Sequence, residues 1–173
     1  MNLHYKKATL QDIEILTETR AEVLKAANEL PWDTDMSEIK RRSRDYYRTA
    51  LADGTHTAYL VFDDDIFAAA GGISYYRVMP TWHNPRGSRA YIMNMYTSSN
   101  YRRKRIAYHV LELLVQDAKE RGITSVSLEA TKTGRFLYER FGFVPMSHEM
   151  ELPEDFAGFL GPEQTQGVIL PPS

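Results

Sequence analysis

The sequence predicts a mixed α/β fold, one domain built on a single sheet with helices on its faces. Three observations carry this. Strand-type and helix-type segments follow one another as β, α, α, β, β, β, α, β, α, β, too irregular for a doubly wound repeat. The 173 residues make one domain by length, and 43% of them are hydrophobic, enough for one sizeable core. Finally, Ile92 to Leu114 changes period midway, from strand through a polar basic turn to helix.

Taken in order, Leu3 to Ala8 reads as the first strand. Thr9 and Asp12 stand at the spacing of a capping box, which opens a helix with Ile13, Leu16, Val23 or Leu24, and Ala27 inward. Asn28 to Trp32 breaks that helix. A second begins at Asp35, with Glu38 three residues on, and runs to about Leu51; Ile39, Tyr46 and Ala50 form its apolar side and Asp53-Gly54 closes it. Its Lys40, Arg41, Arg42, Arg44 face reads as solvated surface.

Thr57 to Phe62 and Ile66 to Val78 are β-type runs joined by Asp63-Asp64-Asp65, short enough for an antiparallel hairpin. Three aspartates in a tight turn suit solvated turn formers better than metal ligands, so no metal site is expected. Gly71-Gly72 inside the second run points to a bulge or a close backbone approach. Met79 to Gly87, with Trp82 between two prolines, is a loop. Strand Arg89 to Thr97, helix 103–121, strand Ile123 to Glu129, helix Thr133 to Phe141 and strand Phe143 to Glu151 complete the chain. The long helix has its buried face at Ile106, Val110, Leu113, Leu114 and Ala118, and Gly122 stops it.

Composition narrows the function. Without cysteine there are no disulfides, thiolate nucleophiles or cysteine metal sites. The first residues lack the apolar core of a signal peptide, and no apolar run approaches the roughly 20 residues that span a bilayer. A cytoplasmic protein with no membrane partner is expected. All 21 Lys and Arg precede Phe141, whereas Glu149, Glu151, Glu154, Asp155 and Glu163 follow it. Such a chain, net −2, suits one local anion site and a separate acidic region better than nucleic-acid binding. In the Tyr101 to Lys104 run and the basic helix face, aromatic residues are also not interleaved with the cations as stacking on single strands requires.

The local anion site is found at Arg102, Arg103, Lys104 and Arg105, which crowd the start of the long helix. Cations there oppose the helix dipole, an arrangement that costs stability unless an anion sits among them. Free N–H groups plus basic side chains make a phosphate site.

These residues also resemble a known pattern. Arg102-x-x-Arg105-x-Ala107 is similar to the Arg/Gln-x-x-Gly-x-Gly/Ala loop of the GCN5-related N-acetyltransferases, and Leu137-Tyr138 followed by Gly142-Phe143 resembles that family's Leu-Tyr-x-x-x-Gly-Phe signature. The resemblance extends over residues 3 to 151. It implies a GNAT-like, mostly antiparallel central sheet, with helices on both faces and splayed between strands 4 and 5. It also implies an N-acetyltransferase domain at 1–151, followed by a C-terminal tail, 152–173, that it does not cover.

The resemblance further implies acetyl-CoA as acyl donor, moved by direct attack onto a primary amine, with a small molecule or a protein as acceptor. Met95, Tyr96 and Thr97 would line the donor's pantetheine arm, and Arg102, Arg103, Lys104, Arg105, Ile106 and Ala107 would hold its pyrophosphate. Thr133 stands where an asparagine often contacts the cofactor, and a helix cap is its other role. Tyr138 occupies the general-acid position, for which a phenol that stays protonated at neutral pH is suited. Arg105 departs from the family's glycine, leaving open whether its side chain blocks the cradle. Glu129, His148, Glu149 and Glu151 are candidates for the base, and the loops Asn28 to Trp32 and Met79 to Gly87 for the acceptor side. A monomer or homodimer is expected. The alternative function is a non-catalytic acyl-CoA-binding sensor or interaction module, motivated by Arg105 and Thr133.

Overall fold

The computed structural model describes residues 1–152, so the expected tail lies outside the described residues from position 153 on. Five strands, β1 (Leu3–Lys7), β2 (His56–Asp63), β3 (Ile66–Arg77), β4 (Ser88–Thr97) and β5 (Ser125–Leu128), form one sheet in sequence order. The first three pairings are antiparallel. The fourth is parallel, because the long helix crosses over between β4 and β5.

The helices α1 (Ile13–Ala27) and α2 (Ser37–Ala52) cover one face, and α3 (Ile106–Glu120) and α4 (Arg135–Phe141) the other. Period-2 alternation in the strands feeds two cores. Val61, Ala69, Ile73 and Ile92 pack on Val110, Leu111 and Leu114 of α3 and on Tyr138 of α4. Ala58, Leu60 and Ala70 pack on Leu16 of α1 and Tyr47 of α2. The start of α1 follows from its predicted capping box, since Thr9 and Asp12 satisfy each other's backbone N–H groups.

The sheet opens between β4 and β5. Their pairing runs only from Arg89 opposite Ser125 to Ile92 opposite Leu128, and β4 continues to Thr97 with no strand on that side among the described residues. A bulge begins where they part. Gly72 faces Met93 and Ala70 faces Tyr96, so Asn94 and Met95 together oppose the single Gly71. Asn94 holds the left-handed conformation (φ 57°), which asparagine tolerates better than most residues. The close approach expected at Gly71 is real, since a Cβ there would lie 2.5 Å from Met95 Sδ and 2.6 Å from Val110 Cγ1. The extra residue, however, belongs to β4.

Four expectations are corrected. Phe143 to Glu151 forms no strand, and its apolar Val144 and Met150 are exposed rather than packed; Pro145, near its start, removes a ladder donor. Helix α3 starts at Ile106 rather than 103, because Arg103 (φ 60°) and Arg105 (φ 64°) are left-handed and cannot lie within a right-handed helix. Ala27 is exposed, and α1 buries Thr17, Thr19 and Ala21 alongside Leu16 instead. On α2, Ile39 and Tyr46 are exposed, and Tyr47 joins Ala50 in the buried positions.

Candidate active site

The basic run Arg102–Arg105 links β4 to α3 through a single turn of helix at Ser99–Tyr101. Left-handed residues on either side of Lys104 make a concavity, a backbone arrangement that points successive N–H groups inward. Intramolecular hydrogen bonding resumes only at His109, whose N–H donates to the Arg105 carbonyl (3.1 Å). Among the described residues, the six backbone N–H groups of 103–108 have no acceptor.

The four cations are exposed, and none has a carboxylate partner among the described residues. Their side chains are held in other ways. Arg102 Nε donates to the Thr97 carbonyl (3.2 Å), Lys104 lies over the Tyr101 ring (5.1 Å), and Arg105 lies over the Tyr108 ring (5.8 Å). With its guanidinium on Tyr108, Arg105 has the backbone conformation glycine would supply, at a cost of about 1 kcal/mol. Unpaired donors, a helix N-terminus and unneutralised cations together fit a pyrophosphate.

The end of β4 leads from this cradle to the bulge. Its three expected arm-lining residues divide between the faces of the sheet. Met95 packs into the α3-side core. Tyr96 stacks on Phe67 (6.3 Å, 7° between planes), which belongs to the α1–α2 side. Thr97 keeps a buried hydroxyl with no partner among the described residues.

Tyr138, on α4, sits in the α3-side core close to Tyr91 of β4. Its ring is 9% exposed and meets Phe143 edge to face (6.1 Å). Burial, and secondarily the neighbouring Tyr91, raise its pKa above the ordinary phenol value. It is therefore protonated at neutral pH. Thr133 is exposed in the turn before α4 and supplies no cap; the N-cap residue is Gly134, whose N–H donates to Thr131 Oγ1 in that turn (3.1 Å).

Of the candidate bases, Glu129 lies just beyond β5 and acts on Tyr91 of β4, whose pKa is raised by burial and then by the Glu129 charge and hydrogen bond. His148, Glu149 and Glu151 are exposed, with Glu149 lying 3.9 Å from Arg89. The loops expected on the acceptor side carry Trp32 and Trp82, 88% and 93% exposed.

Sequence reasoning missed two residues here. Asn94 is buried in β4 between two methionines, and its one signal is that strands are depleted of asparagine. Arg20, half-buried on α1, donates to Asn94 Oδ1 (3.4 Å); 74 residues of separation hide that contact.

Comparison with known proteins bears on the family and the fold. A family model for the acetyltransferase (GNAT) family matches residues 22–143. Among solved structures, the chain is similar to a predicted acetyltransferase from Clostridium acetobutylicum, crystallised with acetyl-CoA. That likeness has a TM-score of 0.80 at 30% identity and covers 87% of this chain and 96% of that one. It is also similar to a GCN5-related N-acetyltransferase from Ralstonia eutropha (TM-score 0.75, 24% identity, 88% and 98% covered). Glucosamine-6-phosphate N-acetyltransferase from Arabidopsis thaliana shares the fold (TM-score 0.64, 16% identity, 90% and 100% covered). No curated protein matches the sequence. No helix among the described residues is long and apolar enough to cross a membrane.

Proposed function

The chain belongs to the acetyltransferase (GNAT) family and is an acyltransferase using acetyl-CoA, and from that premise we propose that it acetylates a primary amine by direct attack, with Tyr138 as general acid. The observation that carries this reading is the row of six N–H groups at 103–108, without acceptors among the described residues. They sit among four cations and beside the β4 edge that no described strand covers.

When bound, acetyl-CoA supplies an activated acyl carbon and a thiol leaving group. The chain's residues supply the rest. The cradle at 103–108, together with Arg102, holds the pyrophosphate, and Met95, Thr97 and the open strand edge hold the extended arm. Backbone N–H groups at 95–97 stabilise the oxyanion. Tyr138, kept protonated by burial, gives its proton to the departing sulfur.

The attacking amine must first lose a proton, since alkylammonium groups are mostly charged at neutral pH. Glu129 is supported for that task by its tie to Tyr91 at the end of the β4–β5 pairing. No nucleophile of the enzyme's own is needed. The rival reading is an acyl-CoA-binding sensor without turnover; the left-handed backbone of Arg105 and its contact with Tyr108 support binding of the donor and fit either reading.

Thiol release from acetyl-CoA, followed with a panel of primary amines, tests the proposal. Saturable release that requires an amine is expected. Tight acetyl-CoA binding with no release on any amine would favour the sensor.

A further inference from the structure

Arg20 is a half-buried cation that α1 turns toward the opening in the sheet, and no carboxylate answers it. Of the α1 carboxylates, Glu14 pairs with Arg44 (2.7 Å) and Glu18 with Lys40 (2.6 Å) of α2, and Glu22 is exposed and makes no ion pair among the described residues. Of the other half-buried cations, Lys6, Lys40 and Arg44 each have a close carboxylate partner and Lys25 donates to the Trp32 carbonyl, while Arg89 lies 3.9 Å from Glu149 and its buried Nε has no partner among the described residues. Among the described residues Arg20 makes no ion pair and one long side-chain hydrogen bond, to Asn94. A guanidinium carries five N–H donors in a planar fork. Most of those donors are uncommitted within the described residues, and an incoming anion gains charge-assisted hydrogen bonds from them.

Its position gives the anion a role. Asn94 is the bulge residue where β4 leaves β5, next to Met95. Tyr138 and α3 lie on one face of the sheet, and Arg20 with α1 on the other. A thioester delivered from the α3 side is open to attack from the α1 side. The charge of Arg20 also reaches inward, since it offsets part of the rise that burial imposes on the Tyr47 hydroxyl. Toward β5, Glu129 offers the opposite charge for the amine end of an acceptor.

We propose that Arg20 binds an anionic group on the acceptor, which makes the substrate class primary amines bearing a carboxylate or phosphate a few bonds from the attacking nitrogen. This rests on the acetyl-transfer reading above. Charge-assisted hydrogen bonds to one guanidinium give a preference of about ten- to a hundredfold over the uncharged amine.

Two matched pairs test it, ethanolamine with O-phosphoethanolamine and propylamine with β-alanine. Each is titrated calorimetrically into the coenzyme A-loaded protein and assayed for thiol release with acetyl-CoA. At least one anionic member binds more tightly than its partner, and the pair with the larger ratio identifies the anion. Arg20→Gln brings that ratio to about one while Arg20→Lys keeps part of it, and retained acetyl-CoA binding shows that both variants are folded. Equal binding within both pairs, binding of none of the four, or an unchanged ratio in Arg20→Gln overturns the inference. Arg20-dependent binding without thiol release upholds it and removes the acetyl-transfer reading instead.

Discussion

Gly71 of β3 and Met95 of β4 meet so closely that a methyl group on the glycine would lie 2.5 Å from the methionine sulfur. The bulge at Asn94–Met95 depends on that approach, because the extra residue must be packed against a strand position with no side chain. Gly71→Ala forces Met95 and Val110 aside at a cost of about 1–3 kcal/mol. Chemical denaturation measures that loss. Because Met95 also borders the donor arm, acetyl-CoA affinity falls with it, whereas an effect on stability alone would separate the bulge from the site.

Arg105 gives a prediction of opposite sign for stability. Its φ of 64° is strained for any residue with a Cβ, so Arg105→Gly stabilises the fold by about 1 kcal/mol. The same change removes one cation from the cradle while keeping its N–H groups. Acetyl-CoA affinity therefore drops severalfold at low salt and less at high salt. A gain in affinity would mean that the side chain obstructs the site.

Tyr138→Phe separates chemistry from binding. Loss of a general acid costs about 10²-fold or more in kcat, while the acetyl-CoA dissociation constant changes little. The raised pKa of Tyr138 also fixes the pH profile. The acid form persists through neutral pH, and any fall in rate due to its ionisation appears only on the alkaline side of the ordinary phenol value. Equal turnover by the phenylalanine variant would remove Tyr138 from the mechanism.

Stability responds to acid in two separate windows. Burial lowers the pKa of His56 to about 4, so the folded chain binds fewer protons there than the unfolded chain, and stability falls as pH drops from about 6.5 to 4. Burial pushes the carboxyl of Asp117 up, but hydrogen bonds from Lys7, Tyr75 and Arg121 outweigh it and hold the pKa at about 2. Its contribution is whole above about pH 4 and is lost toward pH 2. Unfolding curves of Asp117→Asn should therefore converge on those of the wild type only below pH 4, and convergence already at pH 6 would contradict the assignment.

Much of the fold was legible because its signals are local. The capping box at Thr9 and Asp12, the aspartate hairpin, and the change of period after Asn100 each lie within a few residues, and each appears where expected. The cradle at 102–107 was legible for the same reason. Phe143 to Glu151 misled because an apolar pattern does not register that Pro145, near its start, withholds a ladder donor. Arg103 and Arg105 misplaced the helix start because arginine is a good helix former, and only the turn geometry overrides it. Arg20–Asn94 and Lys7–Asp117 were invisible, since they join residues 74 and 110 positions apart.

The central claim is that the backbone N–H groups of 103–108 receive the donor's pyrophosphate, and amide NMR tests it most directly. Titration of the ¹⁵N-labelled protein with acetyl-CoA should shift those six amides saturably, with one shared dissociation constant. Saturable shifts elsewhere that leave 103–108 unmoved, or no saturable shift at all, would contradict it.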